Sequence, residues 1–198
     1  MSRVFHGPVG RTALACLATV GAVVALSGAA FPRAAFPDGP PAAVTGGFGE
    51  DSCLSCHLGS ALNEPGGTIE VLGLPDQYEP GRSYTLRLTL TRGGMAVGGF
   101  QLATRHADGS QAGSLEPAAE EGQRMAVQKH RDVQYLQHLL DGITPSAPDT
   151  IAWSAIWTAP TEGGAVSFHA AAVAGDKDES QMGDYVYTLE RQLVAPKR

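Results

Sequence analysis

An antiparallel β-sandwich is the fold class that this sequence of 198 residues predicts. Three observations carry the prediction. Tyr84, Leu86, Leu88 and Leu90 alternate with Thr85, Arg87, Thr89 and Thr91, which is the period of a half-buried strand. Similar runs recur, about seven in all, separated by clusters of Gly, Pro, Asp or Ser. No long stripe of helical period interrupts them.

The first thirty residues stand apart. Arg3 and Arg11 precede an uncharged apolar run from Thr12 to Phe31, the layout of an export signal, and Gly28 and Ala30 supply the small residues for cleavage after Ala30. The run is also nearly long enough to stay in a bilayer about 30 Å thick as a signal anchor. Residues 1–30 are therefore a signal peptide, and membrane attachment is expected only if that segment is retained. Cys16 follows Ala13-Leu14-Ala15, without the large aliphatic residue that a lipid-modified cysteine requires three positions earlier. Residues 31–46, rich in Pro, Gly and Ala and without period, read as a linker. The domain proper is then 47–194.

Within it the expected strands are Thr68 to Leu74, the alternating run opened by the turn Glu79-Pro80-Gly81, Gly99 to Arg105, Val133 to Leu140, Ile151 to Trp157, Ala165 to Val173, and Tyr185 to Val194. Glu116 to Lys129, EPAAEEGQRMAVQK, is the one stretch of helix-forming composition, and Gly122 breaks it. Trp153 and Trp157 share a strand face as core or cofactor-packing aromatics.

The chain has 14 basic and 20 acidic residues, a net charge of −6. Losing residues 1–30 removes Arg3 and Arg11 and no acid, which makes the exported part more acidic still. A nucleic-acid partner is disfavoured. Of three cysteines only Cys53 and Cys56 lie beyond the leader, too few for a disulfide framework.

Those two cysteines belong to Cys53-Leu54-Ser55-Cys56-His57. In C-x-x-C-H the two thiols can join the vinyl groups of one covalent haem c while the adjacent histidine ligates the iron from the proximal side. A local Cys53–Cys56 disulfide is the alternative in an oxidising compartment. A zinc site is weaker, since the three donors are crowded and no second ligand pair stands at a suitable spacing. Gly59-Ser60 and then a strand come after the motif, so a haem here hangs on a β-domain.

For the distal side of such a haem, His138 comes first, on a strand face with Leu136 and Leu140. His169 comes second, opposite Val166, Phe168 and Ala170 and beside Ala171 and Val173. Met95, in the Gly-rich RGGMAVGGF, comes third and reads more readily as core filler. His106 and His130 have charged neighbours and read as solvated loop residues. Asp176, Asp178, Glu179 and Asp184 gather oxygen donors before the last strand but lack calcium-loop spacing. No serine elbow, phosphate loop, dinucleotide fingerprint or HExxH is present, so the chain does not read as a hydrolase or kinase.

The order of GGTIEVLGLPDQYEPGRSYTLRLTL, GGFQLATRHADGSQAGSL, QYLQH, WSAIWTAP, VSFHAAAV and GDYVYT resembles bacterial exported domains of the Reelin-like group, the choice-of-anchor V domains, over about residues 46–190. The resemblance implies a Reeler-type, immunoglobulin-like sandwich. It also implies haem attachment at Cys53, Cys56 and His57, and it favours His138 through a Tyr-x-x-His matched by Tyr135 and His138. A Phe-His-Ala-Ala shared with part of the group, Phe168 to Ala171, keeps His169 in view. The expected function is an exported monohaem c-type carrier for electron transfer or redox sensing, with a redox protein as partner. The alternative is a non-enzymatic binding or adhesion module with a Cys53–Cys56 disulfide.

Overall fold

The computed structural model describes residues 1–3 and 39–195. All but the first three residues of the expected signal peptide, and the first half of the expected linker, thus lie outside the described residues. Nine strands among those described make two antiparallel sheets. In the first, β1 (Gly67–Leu72), β2 (Ser83–Arg92), β7 (Thr150–Thr158) and β4 (Ser114–Pro117) lie side by side in that order. In the second the order is β5 (Met125–His130), β6 (Val133–His138), β3 (Val97–Arg105), β8 (Ala165–Gly175) and β9 (Tyr185–Val194). This is the antiparallel sandwich that the alternation predicts, and each of the expected runs lies on a strand.

The inward residues of both sheets make one core. β2 contributes Leu86, Leu88 and Leu90, β7 contributes Ile151, Trp153 and Trp157, and β8 contributes Val166, Phe168 and Ala170. Trp153 meets Phe100 at 4.5 Å between ring centroids, and Trp157 meets Phe168 at 4.8 Å. Their indole N–H groups donate to the carbonyls of Gly142 and Ala112, so the two largest side chains are buried without an orphaned donor. Met95 is buried in this same core.

The segment Glu116 to Lys129 departs from its helical composition. Its start belongs to β4 and its end to β5. Between them lies a 3-10 turn, Ala119–Arg124, kinked where Gly122 takes a positive φ of 53°. Pairing with β6 from Met125↔His138 to His130↔Val133 outweighs local propensity. Glu121 pins the turn to the sandwich, bonding Arg124 at 2.5 Å and accepting the Ser154 N–H at 2.6 Å.

β3 and β8 differ from ordinary sandwich strands because both of their faces are buried. Residues 39–57 supply the second cover. The described half of the expected linker is packed: Val44 and Thr45 are buried, and the Val44 N–H donates to Gln101 Oε1 at 2.9 Å. The Gln101 amide nitrogen donates to the Pro41 carbonyl at 2.9 Å and to Gln137 Oε1 at 3.1 Å. A wholly buried amide with each group satisfied fixes the strap to the sheet.

A second anchor follows. Glu50 pairs with Arg105, which also donates to the Tyr135 hydroxyl. The Tyr135 hydroxyl donates to Glu50 Oε1 at 2.5 Å, and the Thr45 hydroxyl donates to Glu50 Oε2 at 2.8 Å. The ion pair is nearly shut off from water, with side-chain exposures of 8% and 11%. Burial is the main cause that raises the Tyr135 pKa, against the lowering influence of Arg105, and keeps the phenol neutral. Removing one partner of a buried pair strands the other charge. Glu50→Ala is therefore expected to lower stability by about 3–5 kcal/mol in urea unfolding. A loss below about 1 kcal/mol, the range of an exposed pair, would show that the strap is not anchored this way.

Candidate functional site

The strap ends in the cysteine motif. Ser52 caps a 3-10 turn, Cys53–Ser55, by accepting the Leu54 N–H on its hydroxyl, and the Cys53 carbonyl accepts from both Cys56 and His57. One tight turn therefore carries both cysteines and delivers His57 at its exit. Both thiols are free. Burial pushes the Cys53 thiol up to about 12, so it stays protonated at neutral pH.

His57 is fixed from the other end of the chain. Its Nδ1 lies 2.5 Å from Oδ2 of Asp184, which is buried. Leu58 and Met182 form a parallel bridge beside this pair: the Leu58 N–H donates to the Gln181 carbonyl and the Gly183 N–H to the Leu58 carbonyl, each at 2.7 Å. Gly59 permits the approach, because a Cβ there would stand 2.9 Å from the Gly183 nitrogen and its φ of +108° suits glycine alone. The expected oxygen cluster of this loop is otherwise turned on its own backbone. Asp176 accepts from the Asp178 N–H, Asp178 from that of Ser180, and Ser180 from that of Met182. Among the described residues no group of three or more His, Cys, Asp or Glu is placed to hold a metal ion.

His138 stands where β6 leaves β3. Its ring lies over Gly99, where a Cβ would come within 2.6 Å of it, and Nδ1 sits 2.9 Å from the Phe100 nitrogen and 3.1 Å from the Phe100 carbonyl oxygen. The Phe100 N–H donates to Nδ1, so the neutral ring in this arrangement carries its proton on Nε2; moving that proton to Nδ1, with the Phe100 carbonyl as its acceptor, would free the Nε2 lone pair. Burial is the largest cause that lowers the His138 pKa. The Phe100 carbonyl opposes it, and nearby His57 adds to the lowering.

His138 and Asp184 share a face. Phe100 and Ala174 point into the core, so Gly99 and Gly175 point outward. His138 covers the first and Asp184 touches the second. Gly99 pairs with Val173 and Gly175 with Val97, so the two contacts are adjacent on the β3–β8 pair. His138 on Gly99 and the Asp184 that holds His57 on Gly175 thus occupy neighbouring positions of the outer face, and His57 is near enough to act on the His138 ring electrostatically.

The remaining candidates lie elsewhere. His169 is on the outer face as its alternation predicts, but Gly47 lies directly on its ring, Phe48 packs edge-on at 4.8 Å, and Glu190 stands 3.8 Å from Nε2. Met95 lies in the core. His130 ends β5 and is exposed. His106 is half-buried and 3.1 Å from the Ala165 carbonyl, so it is not the solvated loop residue that its neighbours suggest. Sequence reasoning missed Asp184 as a partner of His57, for the two are 127 positions apart and no periodicity links them.

No family model matches the chain, and no curated protein matches it. Among solved structures, the Reelin-N domain of F-spondin is 22% identical, with 73% of this chain and 96% of that one covered and a TM-score of 0.48. A human F-spondin reeler domain is 23% identical over 69% of this chain and 94% of that one, with a TM-score of 0.44. A cohesin module from Clostridium perfringens is 12% identical, with coverages of 67% and 97% and a TM-score of 0.42. At these values the likeness concerns overall architecture and carries nothing about function.

Burial also sets a pH dependence. It is the main cause that lowers the His169 pKa, with Arg105 adding and Glu190 opposing. A folded-state pKa below the unfolded one means that the unfolded chain binds more protons, so stability falls as pH drops below about 6.5 toward the folded value. An NMR titration is expected to place His169 below about 6.5, and His169→Gln to flatten the decline of the urea midpoint on acidification. A His169 titrating above that value would contradict the burial argument.

Proposed function

We propose that the domain is an exported, non-enzymatic β-sandwich that carries one covalent haem c on Cys53 and Cys56 and serves one-electron transfer or redox sensing. The observation that supports this most is the placing of His138, and of the Asp184 that holds His57, on neighbouring positions of the outer face beside a turn holding two free thiols. The residues fit the group. Cys53 and Cys56 would hold it, His57 Nε2 would be the proximal donor, and His138 Nε2 the distal one, ahead of His169 and Met95. When bound, the haem would supply a reversible one-electron couple.

The chain's own residues do the rest. Asp184 holds the His57 ring, Phe100 holds that of His138, and the strap keeps the turn on the sheet. Two nitrogen donors leave no open position for substrate, which suits a carrier better than an enzyme. Exposed Leu58 and Met182 border the site and give a redox protein partner an apolar contact.

A second reading is a binding or adhesion module without haem, whose thiols close a local disulfide. One observation favours it: the open groove lined by Gly39, Pro40, Pro41, Val127, Gln137 and Leu139 offers a recognition surface apart from the cysteine motif.

A pyridine haemochrome measurement separates the two. Protein exported from a host with the c-type maturation machinery is expected to carry one haem per chain, and the Cys53→Ala/Cys56→Ala double variant none. A haem-free chain with both sulfurs in a disulfide would select the binding module.

A further inference from the structure

We propose that Asp184 is a positioning residue that orients His57 and, by accepting its Nδ1 proton, raises the electron density on Nε2. The inference rests on the haem reading of the cysteine motif. It stands on three contacts. Asp184 Oδ2 lies 2.5 Å from His57 Nδ1, so the neutral ring keeps its proton on that nitrogen and presents Nε2 as a lone pair. The other oxygen, Oδ1, is backed by Gly175, where a Cβ would approach to 2.8 Å. The bridge between Leu58 and Met182 locks the two segments in register immediately beside the pair.

A buried carboxylate on the far side of a ligating imidazole does two things. It removes the ring's freedom to flip or change tautomer, and its negative charge favours the more positive state of whatever the imidazole binds. For an iron centre that state is ferric, so Asp184 is expected to hold the reduction potential down. The Asp176–Ser180 turn brings carboxylates to the same loop, but these are exposed, and Asp176 and Asp178 accept from backbone N–H groups. Among the carboxylates of this loop, Asp184 is the buried one aimed at the motif.

The test is a pair of variants in exported, matured protein, with haem content and midpoint potential both measured. Asp184→Asn keeps the shape and removes the charge. It is expected to load haem as the wild type does and to titrate at a higher potential, with at least a tenfold loss of the preference for ferric over ferrous iron, ~59 mV for one electron. Gly175→Ala keeps the charge and displaces the carboxylate, and its φ lies outside the strained positive range. A shift in the same direction is expected, which a simple loss of charge would not produce. Gly175→Ala also carries the test if Asp184→Asn fails to accumulate. Loaded variants whose potentials match the wild type would overturn the role of Asp184 alone. A wild type without covalent haem would overturn the haem reading and this inference with it.

Discussion

Everything at the candidate site depends on the second cover over the five-stranded sheet. A sandwich needs only its inner faces buried, and the outer face of an antiparallel sheet is ordinarily polar. Here β3 and β8 present Gly99 and Ala103, and Ala171, Val173 and Gly175, outward beside Gln101 and His169, a face whose small apolar positions need a cover. The strap of residues 39–57 covers them, and the cover is what carries the cysteine turn to its place. Gln101 fixes its beginning, the Glu50–Arg105–Tyr135 group its middle, and Asp184 its end. Each anchor is a buried polar group held by directional hydrogen bonds, so each fixes direction as well as depth.

The strands were legible because alternation is a local signal. Leu86, Leu88 and Leu90 announce β2 without knowledge of any neighbour, and the two tryptophans announce β7. β4 and β5 were hidden, since Glu120, Gln123 and Arg124 favour a helix and only pairing with β6 and β7 decides otherwise. The strap was hidden for a different reason. Its Pro and Gly residues have no period, and its hold on the sheet runs through backbone groups and one buried glutamine far along the chain. The motif was legible by spacing alone. Its setting was not, because Asp184 reads as one more acid in an acidic loop until the fold turns it away from that loop.

Position also explains why similar histidines differ. His138 and His169 both lie on strands of the second sheet with small outward neighbours. The strap passes over His169, with Gly47 and Phe48 on its ring, whereas near His138 its first described residue, Gly39, meets the His138 carbonyl rather than the ring. One ring is therefore taken up by the cover, while the other is left beside the turn that carries the cysteines.

The most direct test of the central claim, that His57 and His138 face one cofactor, is the electron paramagnetic resonance spectrum of the oxidised, exported protein beside that of His138→Ala. The account predicts a low-spin ferric spectrum of the two-imidazole kind in the first and a high-spin spectrum in the second. A low-spin spectrum that survives the loss of His138 would contradict it, and so would the absence of any haem signal.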